Sequence, residues 1–278
     1  MPLPALLSRG NPRLSKKDFG HLLTIAGSPT MLGASALCSL AAMRSGAGLV
    51  TAAVPSGLNL TLQKKISNCV MTLPLPQGRS GAYSLKAYAV LKKRWDQFDA
   101  IAIGPGLGRD LGTQQLARQV ITGCPKSLVV DADALFALSG HTAILLKASA
   151  PRILTPHPGE MARLIGQPIN NNEKDRIKIS VAFAHEHHCV LLLKGHHTVV
   201  AGPQGKTYIN HTGNVGMGTA GSGDVLTGMI TAFLAQGMSP LDAARYGAYY
   251  HGKAGDLAAK KRGKLGMMAT DIIDHLMA

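Results

Sequence analysis

The chain has 278 residues, 46% hydrophobic and 16% charged, enough for a sizeable core in one large α/β domain or two small ones. Its net charge of +14, from 29 Lys and Arg against 15 Asp and Glu, favours an anionic partner. Nucleic acid is a poor fit, because the basic residues are scattered and only 4% of the chain is aromatic. Cys38, Cys69, Cys124 and Cys189 show no CxxC spacing, and no apolar run approaches the roughly 18 residues of a membrane span, so a soluble cytoplasmic protein with free thiols is expected.

Residues 1–18 are polar and punctuated by Pro and Gly, the composition of an extended N-terminal arm. His21 to Ala26 reads as a short apolar strand ending in Gly27-Ser28-Pro29-Thr30. The alanine-rich run from Met31 to Ser45 reads as a helix whose first turn, Gly33-Ala34, is kept small. A β-like run at 49–54, a helix at 58–67, a second β-like run at 69–73 and an amphipathic helix at 83–95 follow. Asp99 to Ile103 is a buried strand leading into Gly104-Pro105-Gly106-Leu107-Gly108-Arg109, with a helix at 111–121 behind it. Leu128 to Val130 delivers Asp131-Ala132-Asp133, and Ile153-Leu154 delivers Thr155-Pro156-His157-Pro158-Gly159-Glu160 into a helix start. A helix at 174–187 leads to a strand at 190–193 and then Lys194-Gly195. Residues 199–209, broken at Gly202-Pro203-Gln204-Gly205, read as a β-hairpin. Helices at about 224–235, 240–262 and 268–277 complete the chain.

This alternation predicts an α/β fold with a mostly parallel sheet covered on both faces. No linker, repeat or low-complexity stretch interrupts it, so one domain over 1–278 is expected. Four strands end in polar or glycine-rich turns, at 104–109, 131–133, 155–160 and 194–195, which together suit the lining of one cleft at the sheet's C-terminal edge.

The chemistry centres on the stretch from Gly213 to Gly228, where Gly216, Gly218, Gly221 and Gly223 precede Asp224 and an apolar helix. A glycine-rich turn opening a helix gathers unpaired N–H groups at the positive end of the helix dipole, which suits a phosphate. Asp224 falls in the first helical turn. A carboxylate there makes sense as a base for the group that attacks phosphorus, or as a metal ligand; the bland alternative is a simple helix cap.

Three motifs mislead. Gly216-x-Gly218-x-x-Gly221 matches a dinucleotide fingerprint, with Asp242 21 residues beyond, but the helix after it leads to another helix and no βαβ unit forms. Gly202-x-x-Gly205-Lys206-Thr207 is two residues short of a phosphate loop. His185-Glu186-His187-His188-Cys189 lacks the second histidine of an HExxH zinc site, and no protein ligand to a metal is identified.

The segments 155–160 and 213–228 resemble the two signatures of the ADP/ATP-dependent NAD(P)H-hydrate dehydratases, members of the ribokinase-like superfamily. Arg44-Ser45-Gly46-Ala47-Gly48, Gly104-Pro105-Gly106, Asp131-Ala132-Asp133 and His251-Gly252-x-Ala254-Gly255-Asp256 also resemble the family, in the expected order. The resemblance implies a ribokinase-like fold and a repair activity. Hydrated NADH or NADPH (the S epimer) would be phosphorylated on its ring hydroxyl from ADP or ATP with Mg²⁺, then lose phosphate. It places Asp224 as base, with Ala34, Gly106, His157 and Asp224 contacting the hydrated dinucleotide. Lys194, Gly195, His196, His197, Thr198 and Gly223 would hold the adenine nucleotide, with the N–H groups of Gly221, Ser222 and Gly223 on its phosphoryl oxygens. Glu160 is expected to satisfy the helix cap at 157, freeing His157 for the substrate. The family departures are Ala26, where a second glycine is usual, and the paired histidines at 196 and 197. The resemblance further implies a homo-oligomer, plausibly tetrameric, and a separate epimerase as functional partner, since no epimerase domain is expected in this length. The competing readings are a ribokinase-like kinase acting on a small alcohol, a nucleotide-binding regulator without catalysis and, last, a basic nucleic-acid binder. ADP and ATP are not distinguished, because either places its terminal phosphate at the same helix start.

Overall fold

The computed structural model describes residues 1–170 and 172–277. In chain order its elements are β1 (His21–Ile25), α1 (Leu32–Arg44), β2 (Leu49–Pro55), α2 (Asn59–Lys65), β3 (Met71–Leu75), α3 (Ala87–Lys92), β4 (Ala100–Ile103), α4 (Leu111–Gly123), β5 (Ser127–Val130) and α5 (Ala132–Leu138). They continue with β6 (Arg152–Leu154), α6 (Pro158–Ile165), α7 (Glu173–Glu186), β7 (Val190–Leu193), β8 (Thr198–Ala201), β9 (Thr207–Asn210), α8 (Ser222–Ala235), α9 (Pro240–Gly266) and α10 (Ala269–Asp274).

One nine-stranded sheet runs in the order β3-β2-β1-β4-β5-β6-β7-β8-β9. The strands from β3 to β7 are parallel, and β8 and β9 add antiparallel at one edge as a hairpin. Parallel strands are stable when both faces are covered, and the strand sequences show why they are. Leu22, Val50, Val54 and Val129 point to one core with α1, α2, α8, α9 and α10. Leu23, Ile25, Ile101, Ile103 and Val130 point to the other, under α3 to α7. Alternate residues of each strand thus feed opposite cores, so apolar residues are needed on both sides.

The order reverses between β1 and β4, which lie side by side although three elements of chain separate β2 from β4. The loops leaving such a pair diverge to opposite faces and leave a crevice beyond the strand ends. Helices α1 and α8 cross on one side of it. Their approach is set by small residues: a side chain at Gly228 would collide with the Cys38 carbonyl and meet Ala41 Cβ at 3.1 Å.

The expected strands are present, β3 two residues later than read. The helix expected at 83–95 shrinks to α3. Tyr83 is buried, and its hydroxyl hydrogen is shared by the Ala26 and Ala53 carbonyls at 2.8 and 2.7 Å, which draws the chain onto the sheet. Helix α5, which sequence periodicity did not announce, follows Asp131 directly. The break at Gly263 (φ 77°) falls where the long C-terminal helix was expected to end. In the N-terminal arm Leu7 is buried, and Arg9 Nη2 donates to the Gly46 carbonyl at 2.7 Å.

Candidate active site

A cleft of about 600 Å³ opens at the β1–β4 reversal, and Thr30, Met31 and Gly106 from the two diverging loops line it. That volume is typical of a small-molecule site. Ala34 and Leu37 of α1, Gly221 and Asp224 of α8, and His157 of α6 complete the inner walls. Ala34, Gly106, His157 and Asp224, expected together, do therefore face one space. Gly106 has φ +60°, and a Cβ there would lie 2.8 Å from Ala34 Cβ, so this wall excludes a side chain.

Helix α8 begins at Gly221, whose φ of +88° turns the chain into the helix. Among the described residues the N–H groups of Gly221, Gly223 and Asp224 find no acceptor, whereas that of Ser222 donates to the Thr219 carbonyl at 3.3 Å. The free N–H groups at this helix start thus belong to Gly221, Gly223 and Asp224, while that of Ser222, expected beside Gly221 and Gly223, has an acceptor within the chain. The Ser222 hydroxyl instead lies 3.4 Å from Nε2 of buried His251 on α9. Burial pushes His251 down to about 4, and the charge of Lys194 adds to the effect, so its ring is neutral at ordinary pH. The loop before α8 is tied to the same helix. Asn214 Nδ2 donates to the Gly255 carbonyl and Asp256, and Asp256 accepts the Gly213 N–H at 3.1 Å.

Asp224 is pushed up to about 7, first by burial and then by Asp131, with Lys194 pulling the other way and Asp133 adding to the rise. No hydrogen bond among the described residues uses its oxygens. A carboxylate so placed holds or releases a proton near neutral pH, which is what a general base requires. Lys194, at the end of β7, lies close enough that a Cβ on Gly223 would be 3.4 Å from its Nζ. Its Nζ donates to Asp131 Oδ1 at 2.8 Å and approaches Glu160 Oε2 at 3.8 Å. Burial alone would lower Lys194, but Asp131, Glu160 and Asp224 together outweigh it and hold the ammonium charged. Asp131 is 1% exposed, and its other oxygen accepts from Thr227 Oγ1 at 2.8 Å, so this one carboxylate joins β5, β7 and α8.

His157 departs from expectation. Its Nδ1 accepts the N–H groups of Gly159 and Glu160 at 3.0 and 3.3 Å, while Glu160 Oε2 accepts the His157 N–H at 2.8 Å. Both residues form a reciprocal capping box, so the cap does not fall to Glu160 alone. With Nδ1 accepting, the neutral ring carries its proton on Nε2.

The segment Lys194–Thr198 is the turn between β7 and β8. His196 and His197 stack with ring centroids 4.0 Å apart, and His197 Nδ1 is 2.7 Å from Glu173 Oε2. The Thr198 hydroxyl donates to the Gly195 carbonyl at 3.0 Å. Behind the turn lies buried Arg176 of α7, which the sequence did not single out. Its guanidinium donates to the Leu193, Lys194 and His196 carbonyls, and a Cβ at Gly195 would meet it at 2.9 Å. Among the described residues no group of three or more His, Cys, Asp or Glu side chains is placed to hold a metal ion, the His185–Cys189 run included. Among the described residues no helix is long and apolar enough to cross a membrane.

The chain is similar to known proteins over most of its length. The family model described as NAD(P)H-hydrate dehydratase matches residues 22–278. The chain is 49% identical over 258 residues to the bifunctional NAD(P)H-hydrate repair enzyme Nnr of Moorella thermoacetica, covering 93% of this chain and 48% of that one. The chain thus spans about half the length of the first curated relatives it matches. It is 35% identical over 276 residues to the ADP-dependent (S)-NAD(P)H-hydrate dehydratase of Xanthomonas campestris, covering 98% of this chain and 89% of that one. The ADP/ATP-dependent NAD(P)H-hydrate dehydratase of Bacillus subtilis, co-crystallised with ATP/Mg²⁺, superposes with a TM-score of 0.82 at 31% identity, covering 97% and 92% of the two chains. The fold is ribokinase-like, and the chain belongs to the NAD(P)H-hydrate dehydratase family.

Proposed function

We propose that this chain repairs hydrated NADH and NADPH, using ADP or ATP to phosphorylate the ring hydroxyl and then expelling phosphate. The observation that carries the reading is Asp224, a carboxylate pushed up to about 7 that lines the cleft with Ala34, Gly106 and His157 and lies beside free N–H groups and the Lys194 ammonium. Asp224 takes the proton of the substrate hydroxyl as its oxygen attacks the terminal phosphorus. The N–H groups of Gly221, Gly223 and Asp224, with Lys194, stabilise charge on the transferred phosphoryl oxygens. The O–P bond to the donor breaks, leaving AMP from ADP or ADP from ATP. The ring nitrogen's lone pair then expels phosphate from the adjacent carbon, and loss of a proton from the next carbon restores the double bond. Phosphate is a good leaving group, so this second step needs no strong acid.

Lys194, Gly195, His196, His197, Thr198 and the α8 start, Gly221 to Gly223, hold the donor in this reading. Mg²⁺ fits as an ion carried by the donor phosphates, since it takes one or two carboxylates plus phosphate and water oxygens and no protein cage. Glu160, which lines the cleft beside Lys194, is the carboxylate that would share it. When bound, it supplies charge neutralisation to the phosphates. The chain acts as one domain on one substrate epimer, in a homo-oligomer in the cytoplasm, alongside an epimerase that supplies the S form.

The test is absorbance in the reduced-nicotinamide band on adding hydrated NADH, Mg²⁺ and either ADP or ATP. A rise that needs nucleotide and releases phosphate supports the reading and identifies the donor. A folded protein that binds nucleotide yet gives no rise with either donor overturns it.

A further inference from the structure

The outer wall of the cleft carries a cluster that the proposed chemistry does not use. Phe136 of α5 faces the cleft, with Arg109 Cζ 4.4 Å and Arg163 Cζ 5.5 Å from its ring centroid. Arg109 comes from the loop after β4 and Arg163 from the last turn of α6, so two separate elements bring guanidinium groups to one ring. The ring quadrupole offers each only a weak attraction at an exposed site.

Among the described residues only one of the two cations has a carboxylate partner. Asp133 Oδ1 accepts from Arg109 Nε at 3.1 Å, and Asp133 Oδ2 accepts the Gly108 N–H at 2.9 Å, which fixes the loop under the arginine. Glu160 lies one turn before Arg163 on α6, but its oxygens face the His157 N–H, His157 Nε2 and Lys194. Among the described residues no hydrogen bond uses the terminal nitrogens of Arg109 or any nitrogen of Arg163. The wall thus presents an uncompensated positive charge and two sets of planar donors to the cleft, and the Arg109 side chain is 59% exposed. Paired guanidiniums with free edges match the oxygens of a phosphate.

We propose that Arg109 and Arg163, held against Phe136, form the subsite for a phosphate group of the dinucleotide substrate. The proposal rests on the dehydratase reading of the same cleft. The donor's phosphates have their own cradle at the α8 start and Lys194, so the outer arginines serve the second polyanion. That molecule carries phosphate in two places: the diphosphate common to both hydrates, and the extra ribose phosphate of hydrated NADPH.

The experiment compares wild type with Arg109→Gln, Arg163→Gln and the charge-retaining Arg163→Lys. KM and kcat are measured for each hydrate at saturating donor, and dissociation constants for NADH and NADPH by nicotinamide fluorescence. Each Gln variant is expected to raise KM and the dissociation constant about tenfold, the worth of one charge-assisted contact, with kcat and donor KM within twofold and partial rescue by Lys. Weakening confined to the NADPH forms identifies the ribose phosphate as the ligand; equal weakening of both identifies the diphosphate. Unchanged KM and dissociation constants, or a fall in kcat alone, in an otherwise active enzyme overturn the subsite and leave the dehydratase reading standing. A wild type that turns over neither hydrate overturns both.

Discussion

The two ends of the sheet each bury a cation, and they use it in opposite ways. At the N-terminal end of β6, Arg152 is 2% exposed and has no carboxylate partner among the described residues. Its guanidinium donates to the carbonyls of Ile121, Cys124, Lys126, Ala150 and Pro151, so its donors are consumed by main chain. At the C-terminal end, Lys194 has one close bond among the described residues, to Asp131, and its ammonium keeps donors in reserve. Burial lowers Arg152, whereas the carboxylates around Lys194 keep it charged. A buried cation that is spent on the backbone is a staple. One that is neutralised by carboxylates and left partly unbonded is available to a phosphate. Arg176 stands between the two: its bonds are to main chain, but the main chain it holds is the turn proposed to bind the donor.

The sharpest break in that contrast comes from Asp224, which shares the ligand end with Lys194. Asp224→Asn should lower kcat by about 10³-fold, the scale of a lost general base, with donor affinity by calorimetry within a few fold. In wild type, kcat/KM should fall tenfold per unit as the pH drops below about 7, where Asp224 takes up its proton. The same shift affects stability. Folded Asp224 holds a proton up to about 7 that the unfolded chain releases near 3.8, so its contribution is full below 3.8 and is lost as the pH rises through about 7. Asp224→Asn should therefore raise Tm, most clearly above neutral pH.

Next in size is Arg152→Met, which leaves buried carbonyls without donors. It should cost about 3 kcal/mol of unfolding free energy in urea titration, while the donor affinity of the folded fraction is unchanged. Lys194→Met should do the reverse in emphasis, weakening the donor nucleotide about 100-fold because a charge-assisted phosphate contact is lost. It should also destabilise through the orphaned Asp131. Adding Asp131→Asn should restore stability and leave affinity low; recovered affinity would assign Lys194 to the staple class. The smallest effect belongs to Arg176→Met, with donor KM up about tenfold and kcat at saturation within twofold, since the arginine acts only through the turn it braces.

The contrast also marks what the sequence disclosed. The strands were legible because both faces are buried and the runs are short and apolar, and the α8 start because its glycines and Asp224 are contiguous. The Lys194–Asp131 bond spans 63 positions and the Thr227–Asp131 bond 96, separations that no local pattern encodes. Arg176 reads in sequence as an ordinary charge on a polar helix, and only the return of β7 beneath α7 gives it carbonyls. Helix α5 is seven residues long, too brief for its periodicity to register. That the Ser222 N–H has an acceptor of its own, the Thr219 carbonyl, was not legible, because it depends on a turn geometry that glycines permit without dictating.

The crossing of α1 and α8 at Gly228 has a mechanical consequence. With the Cys38 carbonyl pressed against that glycine, the helix bearing Ala34 and the helix bearing Asp224 have no slack to separate. The 104–109 loop is locked as well, since a Cβ at Gly104 would collide with the Asp131 carbonyl and one at Gly106 with Met31 and Ala34. In the proposed reaction two long reactants must enter and leave between these walls. The movable parts left to admit them are side chains such as that of Arg109, 59% exposed, while Asp224 keeps its station against the α1 wall.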